Sequence, residues 1–105
     1  MSEIITFKLP DGSSVESAKS LETGIKQIAG VSSAGVQQTR GAEAIMVWVG
    51  LAKPVMDVVT KIIEFIKGKG LTGVEIQLPN HVTLKVDSAS PADIERLLKA
   101  LREAS

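Results

Sequence analysis

One glycine-rich segment of this chain has the composition of a phosphate-binding loop. Gly68-Lys69-Gly70-Leu71-Thr72-Gly73 has the glycine spacing of a dinucleotide-binding motif. Such a motif binds phosphate when it follows a strand and opens a helix, because the phosphate then meets the N–H groups of the helix N-terminus. Here the segment follows a predicted helix and precedes a predicted strand, so its glycines indicate a helix C-cap and a turn. We therefore expect no nucleotide site and no cofactor.

The side chains that most often catalyse reactions are few and scattered. The chain has no cysteine and one histidine, His81, which lies beside Asn80 in a predicted hairpin turn. Thiolate metal sites and cysteine nucleophiles are excluded, and His81 has no histidine partner for a metal ion. Asp93 and Glu95 point to different sides of a predicted helix. We expect no catalytic residue and no metal ligand. The sequence does not fix the distances between carboxylates on separate elements, so a pair of them formed in space stays open.

Composition narrows the class of protein further. The 105 residues predict one domain, 1–105, and its 12 basic and 12 acidic side chains cancel. With no net charge and only one tryptophan and two phenylalanines, nucleic acid is not expected as the main ligand. The first residues lack a signal-peptide pattern, and the longest apolar region, 44–66, is interrupted by charged residues. We expect a cytoplasmic protein that does not bind membranes.

Hydrophobic periodicity predicts three strands and one helix in the first half of the chain. Apolar and polar residues alternate over 5–9, which predicts a first strand. A helix is predicted over about 14–29, with Ser13 at the capping-box position. A weak strand signal follows over 36–39, and the run 44–50 predicts a strand that is apolar on both faces.

The second half predicts two helices and a hairpin between them. A broad apolar stripe predicts a helix over about 53–67. Alternating residues over 74–78 and 82–86, separated by Pro79-Asn80-His81, predict the hairpin. Ser90 as N-cap and a proline after it start the last helix. The apolar stripe of that helix consists of Ile94, Leu97, Leu98 and Leu101.

The order of these elements predicts an α+β fold. We expect a two-layer, ferredoxin-like βαββαβ core with an extra C-terminal strand and helix. The sheet is expected to be mixed, with 44–49 as an interior strand. Both core helices would pack on one face, so the other face stays open unless the last helix or another subunit covers it.

This uncovered apolar surface predicts an interface. Trp48 is either a core ring or an interface anchor, since tryptophan is enriched at binding hot spots, and Met46 lies on the same strand face. The second helix has excess apolar surface at Met56 and Ile63. We predict self-association or partner binding through an apolar surface that includes Trp48 or Met46, or through the exposed flank of the second helix at Met56 and Ile63.

Four segments of the chain match the pattern of a known family. They are Gly41-Ala42-Glu43-Ala44-Ile45-Met46-Val47-Trp48-Val49-Gly50, the helix end Phe65-Ile66-Lys67-Gly68-Lys69-Gly70, and the strands Val74-Glu75-Ile76-Gln77-Leu78 and Val82-Thr83-Leu84-Lys85-Val86-Asp87. With a leucine-rich final helix, they resemble the bacterial effector-associated constant component family over roughly residues 36–105.

This resemblance implies a non-enzymatic adaptor of a bacterial conflict or antiviral immunity system. The adaptor would couple a sensor to an effector, such as a caspase-like or trypsin-like peptidase, and its partner would be encoded nearby. Two other classes stay open: a ferredoxin-like dimeric regulatory module that binds a small ligand, and a small enzyme. Co-purification with a neighbouring gene product favours the adaptor. A ligand-induced shift in melting temperature favours the regulatory module, and loss of turnover on a single polar mutation favours the enzyme.

Overall fold

Five strands and three helices make up an α+β fold. The structure is a computed structural model, and it describes residues 3–10, 12–38, 45–53, 55–77 and 83–104. The strands are β1 (Glu3–Lys8), β2 (Val31–Gln38), β3 (Ile45–Leu51), β4 (Glu75–Gln77) and β5 (Thr83–Lys85). The helices are α1 (Val15–Lys26), α2 (Met56–Gly68) and α3 (Pro91–Ala104), with a short 3-10 helix at Val86–Ser88.

The strands form one sheet in the order β2-β3-β1-β4-β5. All of its described ladders are antiparallel, so the expected mixed sheet is wrong. The reason lies in the connections: β1 and β2, which α1 joins, run in the same direction, but β3 lies between them. The interior position of the apolar strand is confirmed for residues 45–49, whereas Ala44 lies outside the described residues. With β5 added, the five-strand order is not a clear βαββαβ topology.

Several element boundaries differ from those predicted. β2 is eight residues long rather than four and begins at Val31, because Ser32, Ser33 and Gly35 interrupt the strand pattern in the sequence. The N-cap of α1 is Ser14, whose Oγ accepts a hydrogen bond from the Ser17 N–H at 3.1 Å, rather than Ser13. The Ser13 hydroxyl instead donates to the Pro10 carbonyl at 2.7 Å. α2 begins at Met56, three residues later than predicted.

The C-terminal elements agree with the prediction more closely. β4 and β5 pair antiparallel, which confirms the hairpin, although its turn and His81 lie outside the described residues. Ser90 caps α3: its Oγ accepts a hydrogen bond from the Asp93 N–H, and the Asp93 carboxylate accepts one from the Ser90 N–H. The predicted apolar stripe of α3 is buried.

One face of the sheet carries the core. Val47 and Val49 of β3 are 0 % exposed, and they pair with Phe7 and Ile5 of β1, which are equally buried. α1 packs over β2 and β3, and α2 contacts both α1 and α3. Apolar residues of all three helices belong to the same buried cluster as these strand residues. The described helices therefore form a single layer on this face, which we call the covered face.

Candidate functional site: the open face of the sheet

The opposite face of the sheet has no described element packed over it. We call it the open face, and we define it by the strand residues that alternate with the core positions. They are Ile4, Thr6, Lys8, Ser33, Gly35, Gln37, Met46, Trp48, Gly50, Glu75, Gln77, Thr83 and Lys85. Apart from Gly50, which is buried, every one of these residues is half-buried or exposed. The alternation of a strand thus leaves one side of each strand in contact with solvent.

Trp48 lies in the middle row of the open face and extends over the neighbouring strand. Its register partners are Thr6 of β1 and Gly35 of β2. A Cβ built at Gly35 would lie 2.5 Å from the indole Nε1 and 2.6 Å from Cε2. The indole therefore occupies the space that a side chain at position 35 would need. This contact holds the ring against the sheet, while the tryptophan as a whole stays half-buried.

The apolar part of the open face is a small patch at the β1–β3 side. Met46 and Trp48 are two residues apart on β3, and both are half-buried. Ile4, which lies diagonally across from Trp48 on β1, is 52 % exposed. Such a cluster of large apolar side chains on an otherwise polar surface marks a candidate interaction site.

Polar and charged residues cover the rest of the open face, towards β4 and β5. Lys8 pairs with Glu75, and Glu75 pairs with Lys85, which forms a row of alternating charge across three strands. In the adjacent row, Gln77 lies between Thr6 and Thr83. This arrangement of an aromatic centre beside a polar margin is typical of protein interfaces.

The structure separates the four predicted interface residues into two pairs. Met46 and Trp48 lie together on the open face. Met56 and Ile63 lie on α2, in the helix layer, and therefore cannot join the same surface. Met56 is half-buried against the core.

Ile63 requires a correction, because it is only 3 % exposed instead of lying on an exposed helix flank. α3 packs against α2 and widens the buried side of that helix.

Sequence reasoning missed Ile4 as a member of the patch. Its signal was the alternation with Ile5 and Phe7, which places Ile4 on the other face of the first strand.

The described surface depressions have no catalytic arrangement. One, of about 290 Å³, is lined mainly by serines at the start of α1 and by Lys69 and Leu71 after α2. Another, of about 230 Å³, is lined by Lys8, Leu9, Pro10, Gly73 and Glu75. Neither depression pairs a nucleophile with a histidine or a carboxylate base in a buried setting, and no described polar or charged side chain is buried.

The carboxylates with described hydrogen bonds serve the fold. The Asp87 carboxylate accepts a hydrogen bond from the Gly73 N–H at 3.0 Å and so ties the segment before β4 to the 3-10 helix. Hydrogen bonds from the Ser90 N–H and hydroxyl lower the pKa of Asp93, and Arg96 adds a smaller favourable charge interaction. Among the described residues, no three His, Asp or Glu side chains are grouped so that they could hold a metal ion.

Comparisons with known proteins identified no relative of this chain. The chain matches no known protein family, no curated protein and no solved structure. In the part of the chain that the structure describes, no helix is both long and apolar enough to cross a membrane. The family resemblance stated above stays a prediction from sequence pattern.

Proposed function

We propose that this protein is a non-enzymatic adaptor that binds another protein through the open face. The observation that carries the proposal is the patch of Ile4, Met46 and Trp48, which stays accessible although helices pack on the other face of the same sheet. A tryptophan at the middle of a sheet face has the area and the polar N–H that interface anchors use.

The contact between Trp48 and Gly35 makes this surface suited to binding. Because the indole already rests over the glycine, little of its side-chain freedom remains to be lost when a partner binds. The row of Lys8, Glu75 and Lys85 supplies charges of both signs beside the patch. Charges in this position favour one orientation of a partner over others.

The biological setting of the proposal comes from the sequence resemblance. We propose that the adaptor works in the cytoplasm, in a bacterial conflict or immunity system, and couples a sensor to an effector such as a caspase-like or trypsin-like peptidase. Its partner would be encoded by a neighbouring gene.

We also propose that β1 to β4, with α1 and α2, form a ferredoxin-like βαββαβ core to which β5 and α3 are appended. The order β2-β3-β1-β4 within the sheet supports this assignment, as do the helices that follow β1 and β3.

The test is co-expression with the products of the adjacent genes, followed by purification of the complex. Trp48→Ala and Ile4→Asp should each abolish the complex while the protein stays folded. Val55→Asp is the matched control, because Val55 is 45 % exposed and apolar but lies at the start of α2. A complex that survives both open-face variants, or that is lost equally with Val55→Asp, would overturn the proposal.

A further inference from the structure

The sheet ends at β2, and beyond a bulge near its start this edge strand lacks two features that commonly protect an edge. β2 is eight residues long, Val31–Gln38, and contains no charged residue and no proline. No described strand pairs with its outer side. The opposite edge, β5, is only three residues long and carries Lys85. Long, uncharged edges present unpaired N–H and C=O groups that can accept another strand.

Apolar side chains at the same edge are incompletely covered. Val31 and Val36 of β2, and Ile28 just before it, pack against the core but remain half-buried. Val36 pairs with the buried Val47, so it lies on the covered face beneath α1. The hydrophobic core therefore extends to the edge of the sheet, where its side chains are still partly exposed. One more strand would complete its cover.

A bulge limits the part of β2 that can pair regularly. The register with β3 shifts between Val31 and Ser33, and the Ser32 hydroxyl donates to the Gly50 carbonyl at 3.0 Å. The regular stretch is therefore Ser33 to Gln38. Its central residues are Gly35 and Val36.

We propose that β2 pairs antiparallel with β2 of a second copy of this chain, about a two-fold axis near Gly35. In this register Ser33 lies opposite Gln37 of the second copy, and the small Ala34 lies opposite the larger Val36. Because β2 is uncharged, the two identical edges meet without like-charge repulsion. A two-fold axis brings the same edge of both chains together, as closed symmetric dimers require.

This dimer goes beyond the proposed function and changes what the adaptor can do. Residues paired across the axis face the same way, so the two sheets join into one sheet of ten strands with both open faces on one side. Two Trp48 patches would then face a partner together. A dimeric partner would gain avidity from the second contact.

The test introduces charged residues at two exposed positions of β2. Ser33 and Gln37 lie opposite Gly50 and Met46 on β3, so new charges meet no charged neighbour on that strand. We expect wild-type protein to be a dimer by light scattering. Ser33→Lys/Gln37→Lys should weaken dimerisation at least roughly tenfold, as should Ser33→Glu/Gln37→Glu, because each places like charges opposite one another.

Mixing the two double variants should restore a dimer of one chain of each kind, because lysines then face glutamates. Thr72→Lys/Ser88→Lys is the control: it adds the same charge at exposed positions away from β2 and should leave the dimer intact. A wild-type monomer at all soluble concentrations would overturn the proposal, as would a dimer unaffected by the lysine pair. Because Ser33 and Gln37 also belong to the open face, the separate test of that face is Ile4→Asp on β1, which should lose the partner and keep the dimer, so the two proposals can fail independently.

Discussion

The two faces of β3 differ far more in the structure than in composition. Val47 and Val49 on the covered face are fully buried, whereas Met46 and Trp48 on the open face are half-buried. The helix layer accounts for the difference, because it packs on the covered face. On the covered face, β1 contributes Ile5 and Phe7, while on the open face it contributes Thr6 and Lys8 beside these two residues. The helices pack on the side where adjacent strands are apolar too, and β3 is buried on that side.

The largest expected effect compares the two aromatic side chains of the two faces. Phe7→Ala should lower the free energy of unfolding by about 3–5 kcal/mol, because it opens a cavity in the core. Trp48→Ala should cost about 1 kcal/mol, since the indole already contacts water. Urea denaturation of both variants measures the difference. Equal losses would mean that the open face is covered in solution.

The next prediction tests whether side chains in the helix layer are as deeply buried as those on the covered face of the sheet. Ile63→Ala should cost about 2–5 kcal/mol, because Ile63 is 3 % exposed and belongs to the buried core cluster. Met56→Ala, at the half-buried start of α2, should cost less. Thermal unfolding and denaturant titration give both values, and a small loss at Ile63 would restore it as an exposed interface residue.

A third prediction sharpens the description of the open face through Gly35. Gly35→Ala should cost about 1 kcal/mol, because the new methyl group collides with the indole of Trp48. In the Trp48→Ala background the same change should stabilise the protein by roughly 0.4–1 kcal/mol, since the φ of Gly35 is not positive and alanine restricts the unfolded chain. A double-mutant cycle measures this coupling. Additive effects would show that the ring does not rest on Gly35.

The smallest expected effect is a loss of stability at acidic pH that depends on Asp93 in the first turn of α3. Hydrogen bonds from Ser90 hold the pKa of Asp93 below the ordinary value of 3.8. Its carboxylate therefore stabilises the folded state above that value, and this contribution is lost as the pH falls through the lowered pKa. Asp93→Asn should remove this part of the pH dependence, which stability measurements from neutral to acidic pH detect. An unchanged profile would contradict the assignment.

Loss of the cap hydroxyl tests the same network at neutral pH, and because this hydroxyl also donates to the Asp93 carboxylate, its loss should move the pKa of Asp93 back towards the ordinary value. Ser90→Ala removes the hydroxyl that accepts the Asp93 N–H, and it should cost about 1 kcal/mol at neutral pH. The open face carries no part of this network, so partner binding through Trp48 should be unchanged in both variants.

Local patterns were sufficient for most elements but not for all boundaries. The hairpin of β4 and β5, the apolar strand β3 and the cap of α3 each depend on alternation or on residues three apart, so they could be predicted. β2 was predicted four residues too short, because Ser32 and Ser33 obscure its pattern. Half of the candidate site could be predicted as well: Met46 and Trp48 share a strand face by periodicity alone.

By itself the sequence determined the α+β class, the three helices, the interior strand and the shared face of Met46 and Trp48, because all of these follow from periodicity within one segment. Only the tertiary structure decided the antiparallel order of the strands, the burial of Ile63, the placement of the indole over Gly35 and the exposure of Ile4 beside it. Each of these depends on which distant segments become neighbours. Such pairings arise from packing of the whole chain, and no local repeat encodes them.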